Sequence, residues 1–266
     1  MGVPRGVYKR YAPAALSTAR EERGQLGGSG DFEADIALCE KQTIEPLFRK
    51  YLPRTGKILE AGAGRGRWVF YLRRKGYDVV GLELARSDVE AAKAFDPRVP
   101  LELGDVLRCP YADRSIAAVI SLGVMEHFEE GPQAALAEVR RILRPGGLLL
   151  VTVPTRDFVR AVLFNRMKTA ENLFRKIRGT PLEFEEYRYS RRQFTSLLRE
   201  AGFEILEKAP DDFLPPLNMG LYTDSRFLRN PGRKWELNTA GNLINDMLGN
   251  ISPWLVCSGT LWVCRA

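Results

Sequence analysis

Lys57-Ile-Leu-Glu-Ala-Gly-Ala-Gly-Arg-Gly66 is the stretch on which the reading of this chain turns. A short apolar run ends in the carboxylate of Glu60, and glycines follow at positions 62, 64 and 66. Trp68 to Lys75 then has helical character, and Gly76 stops it. That order is a buried strand, a tight turn and a helix N-terminus, where backbone can lie close against a nucleoside-bearing ligand. The spacing narrows the ligand. A dinucleotide fingerprint, G-x-G-x-x-G, needs glycine at position 67, where this chain has Arg67. The pattern here is E-x-G-x-G-x-G, a poorer seat for a pyrophosphate, so a nicotinamide oxidoreductase is disfavoured.

The downstream residues extend the pattern. Asp78-Val-Val-Gly-Leu-Glu-Leu84 reads as the next strand and puts Glu83 at its C-terminal end, 17 residues after Gly66. A carboxylate there can accept from both hydroxyls of a ribose. A third short strand, Leu101 to Leu103, runs into Gly104-Asp105, a polar group suited to an adenine amino group. The fourth, Ala117 to Leu122, opens into Gly123-Val-Met-Glu-His127. Ala134 to Leu143 reads helical, and Arg144-Pro-Gly-Gly147 turns into a fifth strand, Leu148 to Val153. Strands and helices alternate. The expectation is an α/β fold with a doubly wound, mostly parallel sheet and a ligand at the C-terminal strand ends.

With these five ordered segments, the chain resembles the class I S-adenosylmethionine-dependent methyltransferases, and most closely their small-molecule group. The residues that carry the resemblance are Leu59 to Gly66, Gly81-Leu-Glu83, Gly104-Asp105, Ser121 to His127 and Leu143-Arg-Pro-Gly-Gly147. It covers residues 45 to 155, with a weaker echo through Tyr189-Ser-Arg-Arg-Gln-Phe and Ala201-Gly-Phe-Glu204. The resemblance implies a Rossmann-like sheet of seven strands, with lid insertions and S-adenosylmethionine as cofactor. It implies that the turn of Gly62, Ala63, Gly64 and Gly66 holds the methionine part and Glu83 the ribose, with Glu60 and Leu84 also among the cofactor-binding residues. Asp105 and Val106 would sit at the adenine, and Leu122 and Gly123 on the sulfonium side. Ala63 stands where many relatives have cysteine.

Composition is consistent with an enzyme of this kind. A chain of 266 residues is long enough for one full core with a lid or small subdomain. The apolar stretch Leu148 to Val153 is far too short to span a bilayer, and Met1-Gly-Val-Pro-Arg-Gly6 lacks the apolar region of a secretion signal. A cytoplasmic protein is expected. Cys39, Cys109, Cys257 and Cys264 form no C-x-x-C pair, and the chain has one histidine, so no metal site is expected and the thiols should be free. No G-x-S-x-G elbow and no Walker-type phosphate loop occur.

The chain divides by sequence character into six segments. They are a cap (1–50), a cofactor core (51–154), a lid insertion (155–189), a core continuation (190–208), a second insertion (209–254) and a final strand (255–266). Residues 1 to 32 are expected to begin mobile, and Asp35 to Tyr51 to form one helix. Ser87 with Glu90, and Ser190 with Gln193, carry the spacing of a capping box. Glu204 to Lys208 reads as the sixth strand and Asn242 to Leu248 as a helix. Gly259 to Cys264 is the seventh strand, which the resemblance would insert antiparallel beside the sixth. Phe158, Val162, Met167, Ala170, Phe174 and Ile177 form an apolar stripe with basic flanks. Its plain reading is a helical lid packed on the core; the sharper one is contact with an anionic or lipid-like acceptor or a membrane surface.

Acceptor and mechanism are read from fewer residues. His127, just past the fourth strand, is the candidate general base for a hydroxyl acceptor. Tyr187, Tyr189 and Phe158 are candidates to line the acceptor pocket. The net charge of +7 keeps nucleic acid as an alternative. No nucleic-acid module is visible, however, and Ser121-Leu-Gly-Val124 replaces the tetrapeptide associated with base amino methylation. A small molecule ranks first. A lipid-linked or glycan acceptor, RNA, and a non-catalytic cofactor-binding module follow.

Overall fold

The computed structural model describes residues 3, 4, 6–13, 31–156, 177–214, 217, 219–233 and 236–266. Among these residues the strands are β1 (Tyr8–Pro13), β2 (Ile58–Ala61), β3 (Val79–Glu83), β4 (Leu101–Leu103) and β5 (Ile116–Leu122). They continue as β6 (Leu143–Pro154), β7 (Leu182–Arg188), β8 (Glu204–Asp211) and β9 (Gly259–Arg265). The α-helices are α1 (Phe32–Cys39), α2 (Glu45–Tyr51), α3 (Arg67–Arg74) and α4 (Arg86–Phe95). After them come α5 (Gln133–Ile142), α6 (Arg191–Glu200), α7 (Met219–Asp224) and α8 (Thr239–Ile251).

Seven strands form one sheet in the order β4-β3-β2-β5-β6-β9-β8. β9 is antiparallel to both β6 and β8, and the remaining pairs are parallel. The expected seven-stranded, mostly parallel sheet is therefore present. Strand order reverses between β2 and β5, which leaves a crevice at their C-terminal ends.

Period-two alternation distributes the strands between two cores. Leu59, Val80, Val119 and Trp262 belong to one buried cluster; Ile58, Val79, Ala118 and Leu261, each the preceding residue, belong to the other. Helices cover both faces, so these strands read as continuous apolar runs. Trp262 is fully buried, and its indole N–H donates to Thr195 Oγ1 of α6 at 3.0 Å. That bond satisfies the polar end of the side chain and ties α6 to the sheet.

Several expectations require correction. Asp35 to Tyr51 is not one helix: α1 ends at Cys39 and α2 starts at Glu45. Pro46, at the second position of α2, has no N–H for a continuing helix, and its ring would collide with the preceding turn. Residues 8–13 are ordered as β1, which pairs antiparallel with β7 from Tyr8↔Arg188 to Pro13↔Leu182. Part of the lid segment, 182–188, is thus a strand. Residues 157–176, which carry Phe158 and most of the basic stripe, lie outside the described residues. Ser87 caps nothing, because α4 begins at Arg86 with Ala85 at its N-cap. The box at Ser190 and Gln193 is present in both directions. β8 runs on to Asp211, and α8 extends beyond the expected span, capped by Asn238.

Candidate active site

The parallel register places Glu60 opposite Gly81 on one side and Ile120 on the other. Gly81 lacks a side chain for a steric reason. A Cβ there would collide with Leu101 and come within 2.9 Å of both Ala63 Cβ and Val69 Cγ2. The turn can therefore settle onto β3, with Gly62 N and Ala63 N donating to Leu82 O at 2.8 and 3.1 Å. Gly62, Gly64 and Gly66 have φ of 79°, 54° and 77°, a region that side chains resist. Gly62 is also enforced by packing, since a Cβ would meet Val124. Around Gly64 a Cβ would meet nothing within 4 Å among the described residues. That side of the loop is open to a ligand.

Two carboxylates frame the loop. Glu83 Oε2 accepts from Gly64 N at 2.7 Å, and its Oε1 accepts from Ala85 N at 2.8 Å. A carboxylate has about four acceptor positions, so these two bonds leave room for two hydroxyl donors. Glu60 is buried, and its Oε2 has no hydrogen-bond partner among the described residues. Burial pushes its pKa up to about 8; Arg67 and a backbone bond from Val69 oppose that rise, and Glu83 adds to it. The unmatched acceptor suits a ligand that brings a donor or positive charge.

The other expected cofactor residues lie along the same edge. Asp105 Oδ1 accepts from Leu107 N at 2.8 Å, which rigidifies the turn after β4. Val106 is buried, Leu122 and Gly123 are half-buried, and Leu84 is exposed. Gly123 has φ of 70° and donates its N–H to Thr152 O at 3.2 Å. An open glycine turn, a ribose-competent carboxylate and a polar turn for a base fit S-adenosylmethionine.

His127 closes a short 3₁₀ turn, Met125–His127, directly after β5. Its Nδ1 lies 2.7 Å from the carbonyl oxygen of Glu185 in β7. A carbonyl oxygen only accepts, so Nδ1 carries the hydrogen of this contact, and in the neutral ring the lone pair is then on Nε2. Nε2 is 4.0 Å from Oε1 of the buried Glu126. Tyr187 and Tyr189 are 1% and 0% exposed and belong to the core. The Tyr187 hydroxyl donates to Glu129 O at 2.7 Å. The two rings continue an aromatic chain through Phe194 to Trp262, with neighbouring centroids 4.8–5.7 Å apart. As placed here they form packed wall beneath the site, and burial raises the Tyr189 hydroxyl's pKa.

Sequence reasoning missed a second polar group at this edge. Asp211 ends β8 opposite Gly259, which itself pairs with Pro154 at the end of β6. Gln42 Nε2 donates to Asp212 Oδ1 at 2.9 Å, and Asp212 N donates to Thr43 Oγ1 at 3.0 Å. Burial raises the pKa of both aspartates, and Arg67 counters in each case. An Asp-Asp doublet after a strand was the one available signal; its partners lie about 170 residues away. Among the described residues, no cluster of three or more His, Cys, Asp or Glu could hold a metal, and no helix is long and apolar enough to cross a membrane.

Comparison with known proteins converges on this geometry. Residues 36–208, more than half of the chain, match the family described as "Methyltransferase domain". The chain belongs to that family, and its fold is that of the class I, S-adenosylmethionine-dependent group. A probable S-adenosylmethionine-dependent methyltransferase of Mycolicibacterium smegmatis is 32% identical over 149 residues, covering 56% of this chain and 52% of that protein. The match thus spans about half the length of that relative. Solved structures agree in fold. A methyltransferase of Methanosarcina mazei superposes with a TM-score of 0.55 at 15% identity, covering 83% of this chain and 96% of that one. Geranyl diphosphate C-methyltransferase of Streptomyces coelicolor A3(2), solved with S-adenosyl-L-homocysteine, gives 0.55 at 16% identity, covering 86% and 75%.

Proposed function

We propose that this protein transfers a methyl group from S-adenosylmethionine to a small-molecule acceptor, with a hydroxyl as the receiving group and His127 as its base. The cofactor half of the reading rests on the open face of Gly64 beside the carboxylate of Glu83. The base rests on the bond from His127 Nδ1 to Glu185 O, which leaves Nε2 able to take a proton. A small acceptor is supported by the fold neighbour geranyl diphosphate C-methyltransferase, solved with geranyl-S-thiolodiphosphate.

When bound, the cofactor supplies a methyl group activated by its sulfonium. The chain contributes holding, orientation and proton management. Glu83 would accept from the ribose hydroxyls and Asp105 from the adenine amino group, and the Gly62–Gly66 turn would give the methionine part close access to backbone. Leu122 and Gly123 would lie on the sulfonium side. His127 Nε2 takes the acceptor's hydroxyl proton, and the imidazolium that results faces the carboxylates of Glu126 and Glu186. Holding the nucleophile in line and excluding water supply the rest of the rate.

The test is to incubate the protein with methyl-labelled cofactor and fractionated metabolite extract, then follow the label by mass spectrometry. Label in the small-molecule fraction is expected, and His127→Ala should lower turnover by about 100-fold or more. Its cofactor affinity should stay within about twofold, as expected for a group acting only in the transition state. Equal losses of turnover and affinity would reduce His127 to a structural part of the pocket. The net charge of +7 favours a second reading, an anionic acceptor such as a lipid-linked glycan or RNA. Label confined to the lipid or RNA fraction would select it.

A further inference from the structure

The residue that faces His127 is brought there by a two-stranded ribbon outside the main sheet. β7 carries Glu185, and β1, from the far N-terminal part of the chain, is its partner strand. Arg10 of β1 holds the carboxylates on both sides of that peptide. Its Nε lies 2.7 Å from Glu185 Oε2, and its Nη1 lies 3.0 Å from Glu186 Oε1. Arg188 Nε adds a second contact to Glu186 Oε1 at 3.0 Å. Glu186 and Arg188 are buried, so this is a desolvated network rather than a surface pair. Burial alone would raise the Glu186 pKa, but Arg188, Arg10 and His127 together lower it to about 2. The Tyr187 hydroxyl, bonded to Glu129 O, fixes the same strand to the loop that follows His127.

We propose that Arg10 is a positioning residue for His127: by clamping β7 it holds the Glu185 carbonyl at Nδ1, and so keeps the imidazole in the tautomer whose bare nitrogen is Nε2. The inference rests on His127 acting as the base, but what it asserts is a protonation pattern that exists without any acceptor. The consequence for the fold is that residues 8–13 complete the site although they lie outside the methyltransferase core. Among the described residues, the groups tied to the ring are Glu126 on its own turn and the Glu185 carbonyl and Glu186 carboxylate on β7, and Arg10 of β1 and Arg188 of β7 hold those carboxylates in turn.

The chain has a single histidine, so labelling histidine with ¹⁵N yields the two ring nitrogens of His127 alone. In this chain at a pH where the ring is neutral, Nδ1 should show a protonated resonance and Nε2 an unprotonated one. One hydrogen bond of ordinary strength biases the tautomers by up to about tenfold. Arg10→Ala should bring the two forms toward parity, whereas Arg10→Lys, which keeps one ion pair, should retain most of the bias. A wild-type spectrum with Nε2 protonated would overturn the proposal even if the alanine variant failed to fold. So would an Arg10→Ala protein that folds and keeps the wild-type spectrum. If the spectra behave as expected while His127→Ala transfers methyl groups normally, the clamp stands and the base assignment falls.

Discussion

Glu60→Gln should alter how stability depends on pH while leaving the protein about as stable in acid. Glu60 is buried at the end of β2, with one oxygen lacking a partner, and burial raises its pKa from the usual 4.5 to about 8. The folded pKa exceeds the unfolded one, so between these values the folded state keeps a proton that the unfolded chain releases. Glu60 therefore contributes stability that is fully present below pH 4.5 and is lost as pH rises toward 8. The slope is at most ~1.4 kcal/mol per pH unit, so from pH 5 to pH 7 the loss amounts to roughly 3 kcal/mol. Glutamine has nearly the same shape and stays neutral throughout. The variant should match the parent near pH 5 and be more stable by that order at pH 7. Asp211 and Asp212 also titrate with raised pKa, but they are common to both proteins and drop out of the difference. Urea unfolding of both ligand-free proteins at pH 5, 6 and 7 measures it directly. Parallel stability profiles would refute the claim that Glu60 is protonated in the folded protein.

The other predictions concern the glycines that shape the loop. Gly64→Val places a β-branched residue at φ 54°, where a Cβ meets nothing within 4 Å among the described residues, so it should cost about 1–3 kcal/mol of stability from backbone strain. Its side chain would occupy the open face, and calorimetry should detect no S-adenosylhomocysteine binding; parent-like affinity would remove the loop from the cofactor site. Gly81→Ala should cost about 1–3 kcal/mol by overpacking against Leu101, Ala63 and Val69. An unchanged urea midpoint would mean that the neighbours relax freely.

Local chemistry carries much of this protein in a form that can be read along the chain. The glycine turn after Glu60, the carboxylate Glu83 at the end of the next strand and the strand–helix alternation are short-range patterns. Each depends on residues within about 30 positions of its neighbour, close to the length of a βαβ unit. The seven-stranded, mostly parallel sheet and its antiparallel last strand followed from the resemblance those patterns carried, whereas the order of the strands came from the structure. The capping box at Ser190 and Gln193 was legible for the same reason, and the one at Ser87 misled because helix α4 starts at Arg86.

Tertiary structure decided what depends on distant partners. Alternating Tyr187 and Tyr189 were readable as extended chain, but which surface would cover them was not; packing against Phe194 and the hydroxyl's bond to Glu129 O place them in the core. Arg10 meets Glu186 across 176 positions, and Gln42 meets Asp212 across 170, with no periodicity linking either pair. Side-chain spacing reports the face a residue occupies within its own element, whereas the group it meets there is fixed when separate elements dock. For His127, therefore, the sequence determined that an imidazole follows the fourth core strand, and the fold determined which of its nitrogens meets a backbone carbonyl.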